Sequence, residues 1–142
     1  MTIVLDASMA LAWLIVRADT SEAALAERAF REVSAHGAEV PALWYGEVAN
    51  TLLVFERAKR LTEQDSVSYL ADVGLLTIVQ DDLPCAATQS RVFELGRRHK
   101  LTAYDATYLE LALRRGAVLA TFDLQLAEAA RAAGARVFGD PV

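Results

Sequence analysis

Short strand-like segments alternate with longer helical patterns along the whole chain, and this alternation restricts the fold more than any other feature. The first segment, Ile3-Val4-Leu5, is an apolar run typical of a strand that is buried on both faces. Further strands are predicted at residues 39–40, 77–79, 117–120 and 136–138. The connections are too long for hairpins, so the pattern predicts an α/β fold: a small parallel sheet of about five strands with helices on both faces.

The connections between these segments carry helical patterns. After Asp6 the apolar spacing becomes helical as far as Leu14. Further helices are predicted at residues 21–35, 42–60, 62–73, 85–100, 123–133, and from the capping Thr102 to residue 115. A length of 142 residues suits a single hydrophobic core, so residues 1–142 are predicted to form one domain.

Four acids each stand alone in a long uncharged stretch of the sequence. These are Asp6 within residues 2–16, Glu47 within 42–55, Asp105 within 101–109 and Asp123 within 116–127. A helix that is apolar nearly all round, as residues 42–55 are, is predicted to be buried. An unpaired carboxylate in a dry interior is strongly unfavourable unless something compensates its charge. The sequence therefore predicts a compensating partner for each acid.

Each of the four acids also has a purely structural explanation. Asp6 and Asp123 stand at strand-to-helix turns, where an aspartate caps the following helix. Asp105 follows Thr102 by three residues, the spacing of a capping box. Glu47 could face solvent through a gap in the apolar face of its helix. Taken singly, capping is the favoured explanation for the three aspartates.

Isolation of an acid is not by itself evidence for a site, as Asp72 illustrates. Asp72 is the only charged residue from position 66 to 80. It nevertheless shares a predicted helix face with Asp65 and Ser68, as residues of a solvated stripe do. The case for a site therefore depends on the four acids taken together.

The predicted topology brings three of the acids to one end of the fold. Asp6 and Asp123 follow parallel strands and so belong to the same edge of the sheet. Asp105 opens the helix that leads into the fourth strand, which places it at the same end. Like charges that lie close raise one another's pKa values, and a divalent cation such as Mg²⁺ removes the conflict. A metal ion held in this way activates water and stabilises a phosphoryl transition state.

Three polar residues near the acids are candidates for a supporting role. Asn50 lies one turn beyond Glu47 on the same helix face, where its amide could hold a water bound to the metal. Ser8 and Thr121 each lie two residues from an aspartate and could offer hydroxyl groups. For all three, capping or local backbone hydrogen bonding is the favoured explanation.

The four acids lie in four short segments that follow one another along nearly the whole chain. The segments are Val4-Leu5-Asp6-Ala7-Ser8, Gly46-Glu47-Val48-Ala49-Asn50, Leu101-Thr102-Ala103-Tyr104-Asp105-Ala106-Thr107-Tyr108-Leu109 and Leu119-Ala120-Thr121-Phe122-Asp123-Leu124-Gln125-Leu126. In order, spacing and total length they resemble the PIN-domain nucleases, and within these the VapC-type toxins of bacterial toxin–antitoxin pairs. No single segment is specific, but the four in this order are.

The resemblance implies a PIN-like three-layer sandwich and a ribonuclease. It implies that Mg²⁺ or Mn²⁺ is bound, and RNA cleaved endonucleolytically, by Asp6, Glu47, Asp105 and Asp123. It also implies an inhibitory partner, a small antitoxin protein whose tail lies in a groove beside the site, often with an Arg or Lys that reaches the acids. A homodimer is usual in the family.

Two other functions stay open at this point. The net charge of −5 is unusual for a nucleic-acid-binding protein, although basic residues do cluster at positions 57–60, 97–100 and 114–115, near predicted helix ends. A catalytically weak PIN-like module that binds RNA or a protein partner is the main alternative. A metal-dependent phosphatase on a similar sheet is the other.

The sequence also indicates where such a protein works. A single cysteine, Cys85, allows no internal disulfide, which fits a reducing cytosol. The apolar stretch at residues 2–16 is too short to span a membrane and contains Asp6. We therefore expect a cytoplasmic protein without a membrane segment.

Overall fold

The computed structural model covers residues 1–142 and contains five strands and seven helices. The strands are β1 (Ile3–Leu5), β2 (Ala38–Val40), β3 (Ile78–Gln80), β4 (Val118–Ala120) and β5 (Arg136–Val137). The helices are α1 (Ala7–Leu11), α2 (Thr20–His36), α3 (Leu43–Arg57), α4 (Glu63–Val73), α5 (Cys85–His99), α6 (Ala103–Arg115) and α7 (Leu124–Ala132). The predicted alternation of strands and helices is confirmed.

The five strands form one parallel sheet in the order β3-β2-β1-β4-β5. From β1 the chain moves outward through β2 to β3, then crosses back to β4 and continues to β5. Because parallel crossovers are right-handed, the two directions put α1–α4 on one face and α5–α7 on the other. The result is the predicted three-layer arrangement. The strand order reverses between β1 and β4, the place where ligands bind in such sheets.

The two central strands anchor the hydrophobic core. All three residues of β1 are at most 1% exposed, and β4 beside it is buried as well. Burial of a Val, Leu or Ile side chain contributes roughly 1.5–3 kcal/mol. The segments that follow β1 and β4 therefore begin at strands that are anchored in the hydrophobic core.

Several helix ends differ from prediction for local reasons. Helix α1 ends at Leu11 rather than Leu14, and three turn-like backbone hydrogen bonds follow it. Helix α3 ends at Arg57 rather than at residue 60, because Lys59 adopts a left-handed conformation with φ of 58°. Helix α2 ends at His36 rather than at residue 35, and it is capped by Gly37, whose φ of 80° and ψ of −177° suit glycine almost alone. None of the seven helices combines the length and the apolar content needed to cross a membrane.

The expectation that the apolar helix at residues 42–55 is buried is wrong in part. Only one face of α3 is buried, through Trp44, Val48 and Leu52. Other large apolar side chains of the helix are about half exposed, namely Tyr45, Leu53 and Val54. The reason is geometrical: a helix in an outer layer packs one side against the sheet, so an all-round apolar sequence leaves its outer side uncovered in a single chain.

Candidate active site

Asp6 follows β1 directly, and its carboxylate is held by hydroxyl groups. The side chain makes no capping hydrogen bond to α1, so the capping explanation does not apply to it. Instead, its Oδ2 atom accepts hydrogen bonds from Ser8 Oγ at 2.5 Å and from Thr121 Oγ1 at 2.6 Å. The residue is only 6% exposed. A carboxylate from β1 is thus fixed by a hydroxyl from the segment that follows β4.

The same two hydroxyls also bind the backbone of the turn between β4 and α7. Ser8 Oγ accepts from Phe122 N, and Thr121 Oγ1 accepts from Asp123 N, both at 2.9 Å. The predicted local backbone bonding therefore coexists with contact to an acid. One hydroxyl oxygen, that of Thr121, separates the Asp6 carboxylate from the backbone nitrogen of Asp123.

Asp123 caps α7, so the structural explanation is correct for part of this side chain. Its Oδ1 atom accepts a hydrogen bond from Leu126 N at 3.0 Å. Its Oδ2 atom accepts none. One carboxylate oxygen therefore orients the residue at the helix start, and the other stays available.

Asp105 fails to complete the capping box that its spacing predicts, and Asp65 provides the comparison. In α4, Thr62 Oγ1 accepts from Asp65 N at 3.0 Å and Asp65 Oδ2 accepts from Thr62 N at 2.9 Å. In α6, Thr102 Oγ1 accepts from Asp105 N at 3.1 Å, but the Asp105 carboxylate returns no bond. At the same three-residue spacing from a threonine, the Asp65 carboxylate thus accepts a hydrogen bond and the Asp105 carboxylate does not.

Glu47 is half-buried in α3 and accepts a hydrogen bond from Tyr108. The Tyr108 hydroxyl lies 2.5 Å from Glu47 Oε1, and the tyrosine is fully buried. The solvent-facing explanation for Glu47 is therefore wrong. Sequence reasoning missed Tyr108, although its position three residues after Asp105 puts both on one face of α6. Asn50, by contrast, is exposed and forms no hydrogen bond to any acid.

No Lys, Arg or His pairs with any of the four acids, although eight ion pairs form elsewhere. Burial, and then the charge of Asp123, raises the pKa of Asp6. Burial, and then the charge of Asp6, raises the pKa of Glu47. Burial, followed by the charges of Asp123, Asp6 and Glu47, raises the pKa of Asp105 to about 6. The negative charges of the other three acids thus act on Asp105.

The donor set is suited to a hard divalent cation. It consists of carboxylate and hydroxyl oxygens without a competing positive side chain, which are ligands that Mg²⁺ and Mn²⁺ prefer. No three of these side chains already surround a common point at ligand distance. Mg²⁺ in proteins is commonly held by one or two carboxylates together with waters, so the residues fit such an ion.

Three of the four acids are partly exposed, and basic and aromatic residues lie near them in the chain. Two cavities of about 630 and 740 Å³ lie elsewhere, and none of the four acids lines either of them. A Cβ atom on Gly96 would approach Leu101 O to 3.2 Å, so the end of α5 packs tightly against the start of α6. The basic run at residues 97–100 therefore stands beside the first turn of α6, where Tyr104 is 67% exposed. Arg17 lies 4.4 Å above the ring of Phe122.

Comparisons with known proteins agree with this architecture. The family model described as PIN domain matches residues 3–132. Ribonuclease VapC3 of Pyrobaculum aerophilum is 35% identical over 129 residues, which span 90% of this chain and 94% of the relative. The crystal structure of PAE2754 from Pyrobaculum aerophilum matches with a TM-score of 0.71 at 22% identity, covering 97% of this chain and 90% of that one. The crystal structure of FitAcB from Neisseria gonorrhoeae gives 0.61 at 17% identity, with 96% of each chain covered.

The raised pKa values of three acids predict how stability depends on pH in metal-free protein. Because the folded chain binds protons at these acids more tightly than the unfolded chain, the free energy of unfolding should fall as the pH rises. The decrease should begin near pH 3.8, the ordinary pKa of an aspartate, and continue to about pH 6, the pKa of Asp105 in the folded chain. Urea denaturation in EDTA measures this slope, which Asp105→Asn should flatten.

Asp65→Asn is the matched control. Hydrogen bonds from Thr62 lower the pKa of Asp65, so its contribution to stability is lost only as the pH falls through values below 3.8. Above that pH the variant should keep the wild-type slope. A slope unchanged by Asp105→Asn would mean that neither burial nor the neighbouring acids raise the pKa of Asp105 in the folded chain.

Proposed function

This chain belongs to the PIN domain family, and we propose that it is a Mg²⁺- or Mn²⁺-dependent endoribonuclease, the toxin of a toxin–antitoxin pair. RNA phosphodiester bonds would be hydrolysed at a site formed by Asp6, Glu47, Asp105 and Asp123. The observation that carries the proposal is a set of four acids without a cationic partner, three of which act through their charge on the fourth, Asp105. The name of the curated relative, a ribonuclease, supports the same chemistry.

Asp6, Asp105 and Asp123 contribute to this proposed site in different ways. A bound divalent ion supplies positive charge that activates water and stabilises the phosphoryl transition state. Asp6 is rigidly oriented by Ser8 and Thr121, and Asp123 is oriented by its cap on α7. Burial and the three other acids raise the pKa of Asp105 to about 6 in the metal-free chain, and a cation bound beside it would relieve this and keep the carboxylate ionised.

An RNA strand suits the surroundings of the site better than a small phosphate ester does. Small ligands are generally bound in enclosed pockets, and none of the four acids lines either of the two cavities described above. Cationic side chains at residues 97–100 can neutralise backbone phosphates despite the net charge of −5. The exposed ring of Tyr104, next to Asp105, offers a face on which an unpaired base can stack.

The decisive test compares wild-type protein with Asp105→Asn in cleavage of structured RNA with Mg²⁺. The substitution keeps the volume and removes a charge that the site needs, so we expect the cleavage rate to fall roughly 100-fold or more. Asp72→Asn, an isolated and exposed acid on α4, should cleave as the wild type does.

The outcomes separate the three functions under consideration. A wild type that binds RNA without cleaving it would favour the catalytically weak binding module. Turnover of a small phosphate ester with intact RNA would favour a phosphatase. Equal cleavage by wild type and Asp105→Asn would remove this aspartate from the reaction.

We propose that the antitoxin lies in the apolar groove between α1, α2 and α4. The groove has a volume of about 740 Å³, and its walls include Trp13 and Phe30. Val16 is 75% exposed and Leu75 86% exposed, although both are apolar. Helix α1 connects Asp6 to the groove wall at Ala12, so a bound tail that continued along α1 would bring an Arg or Lys to the unpaired acids.

Inhibition of RNA cleavage by a small protein that copurifies with the chain tests this partner. Leu75→Asp should weaken the inhibition because it places a charge in the groove, and it should leave basal cleavage unchanged. Inhibition that survives Leu75→Asp at full strength would exclude the groove.

We also propose a homodimer formed through the outer face of α3. Tyr45, Ala49 and Leu53 recur at intervals of four residues on this exposed face, and such apolar stripes commonly mark interfaces. Light scattering should give the wild type twice the mass of one chain and Leu53→Asp the mass of a single chain. A monomeric wild type would contradict the proposal.

A further inference from the structure

Tyr108 is the largest fully buried side chain of the molecule, and its polar end reaches a candidate ligand. Its hydroxyl donates to Glu47 Oε1 at 2.5 Å across 61 residues of sequence. A buried phenol requires a hydrogen-bond partner, and many acceptors in the backbone could serve. Here the partner is one of the four acids that lack a cation.

The bond restricts the freedom of Glu47. A glutamate has three side-chain torsions, and a half-buried one without a partner samples several orientations. With Oε1 fixed by the phenol, the second oxygen has a defined direction. Tyr108 also lies one turn beyond Asp105 on α6, so the bond sets the position of an acid on α3 relative to an acid on α6.

We propose that Tyr108 is a positioning residue, which holds the Glu47 carboxylate in the orientation that binds a divalent cation beside Asp105. Tyr108 acts through Glu47 and touches neither RNA nor the reacting atoms. The inference rests on the proposed function, because it assumes that Glu47 contributes to a metal site. It adds a residue whose loss should change metal affinity even in the absence of RNA.

Tyr69 supplies a matched control within the same chain. It is a second buried tyrosine, 6% exposed, and its hydroxyl donates to the backbone oxygen of Ala10 at 2.6 Å. Burial alone raises the pKa of Tyr69, whereas burial and then the Glu47 and Asp6 carboxylates raise the pKa of Tyr108. Loss of the Tyr69 hydroxyl therefore reports the general consequence of removing a buried phenol, without effect on the acids.

The experiment measures Mn²⁺ affinity by isothermal titration calorimetry on the full chain without RNA. Tyr108→Phe should weaken Mn²⁺ binding about 10-fold or more, as loss of an outer-shell hydrogen bond to a ligand commonly does. Tyr69→Phe should leave the affinity unchanged. Circular dichroism checks that both variants fold. In a cleavage assay, Tyr108→Phe should lower kcat at limiting Mn²⁺ and recover part of it at saturating Mn²⁺.

A double-mutant cycle with Glu47→Gln separates failure of this inference from failure of the proposed function. Glu47→Gln should itself weaken Mn²⁺ binding, and adding Tyr108→Phe should then cause no further loss. Unchanged Mn²⁺ affinity in Glu47→Gln would overturn the assignment of Glu47 to the metal site. Weaker binding in Glu47→Gln, but wild-type binding in Tyr108→Phe, would overturn the role of Tyr108 alone.

A second readout avoids substitution of the tyrosine. Mg²⁺ binding to the wild type should perturb the near-ultraviolet absorption of Tyr108. The reason is that its hydrogen-bond acceptor, the Glu47 carboxylate, would then lie beside a positive charge. The perturbation should disappear in Glu47→Gln and persist in Tyr69→Phe. If the perturbation disappears in Tyr69→Phe, it comes from Tyr69 rather than from Tyr108, and the inference is overturned.

Discussion

The main physical constraint on this structure is the burial and mutual repulsion of four carboxylates. The strand order reverses between β1 and β4, so the chain leaves both strands at the same place and carries Asp6 and Asp123 there together. Helix α6 adds Asp105, and α3 adds Glu47. Since no basic side chain pairs with them, the protein holds these negative charges at a cost in stability, which a cation from solution would offset.

The surrounding structure is organised to withstand that repulsion. A core of 34 buried residues holds the strands from which two of the acids emerge. Hydroxyl donors, rather than positive charges, orient Asp6, the most buried of the four acids, so its orientation is set without neutralising its charge. Functional sites often keep such locally unfavourable arrangements where the rest of the fold over-determines them. An apolar outer face on α3 and an apolar groove beside α1 add surfaces that a single chain leaves uncovered.

Local patterns predicted the sheet and its helices because the spacing of apolar residues within a short segment distinguishes a strand from a helix. They failed where tertiary contacts decide. Asp65 and Asp105 share the same spacing from a capping threonine, yet only the first completes the box, and only the second has its pKa raised by acids from other parts of the chain. The bond from Tyr108 to Glu47 spans 61 residues and has no local signal. The partial exposure of α3 depends on which layer it occupies, which its own residues do not reveal.

The hydroxyl groups around Asp6 have one further consequence, which concerns the location of hydrogens. Ser8 Oγ and Thr121 Oγ1 each accept a backbone N–H from the turn after β4 and lie within hydrogen-bond distance of Asp6 Oδ2. While Asp6 is ionised, its carboxylate can only accept, so both hydroxyls donate to it and the network runs from amide to alcohol to acid. Both donors meet the same oxygen, so a rotation of the Asp6 carboxylate would break two hydrogen bonds at once and loosen the turn after β4.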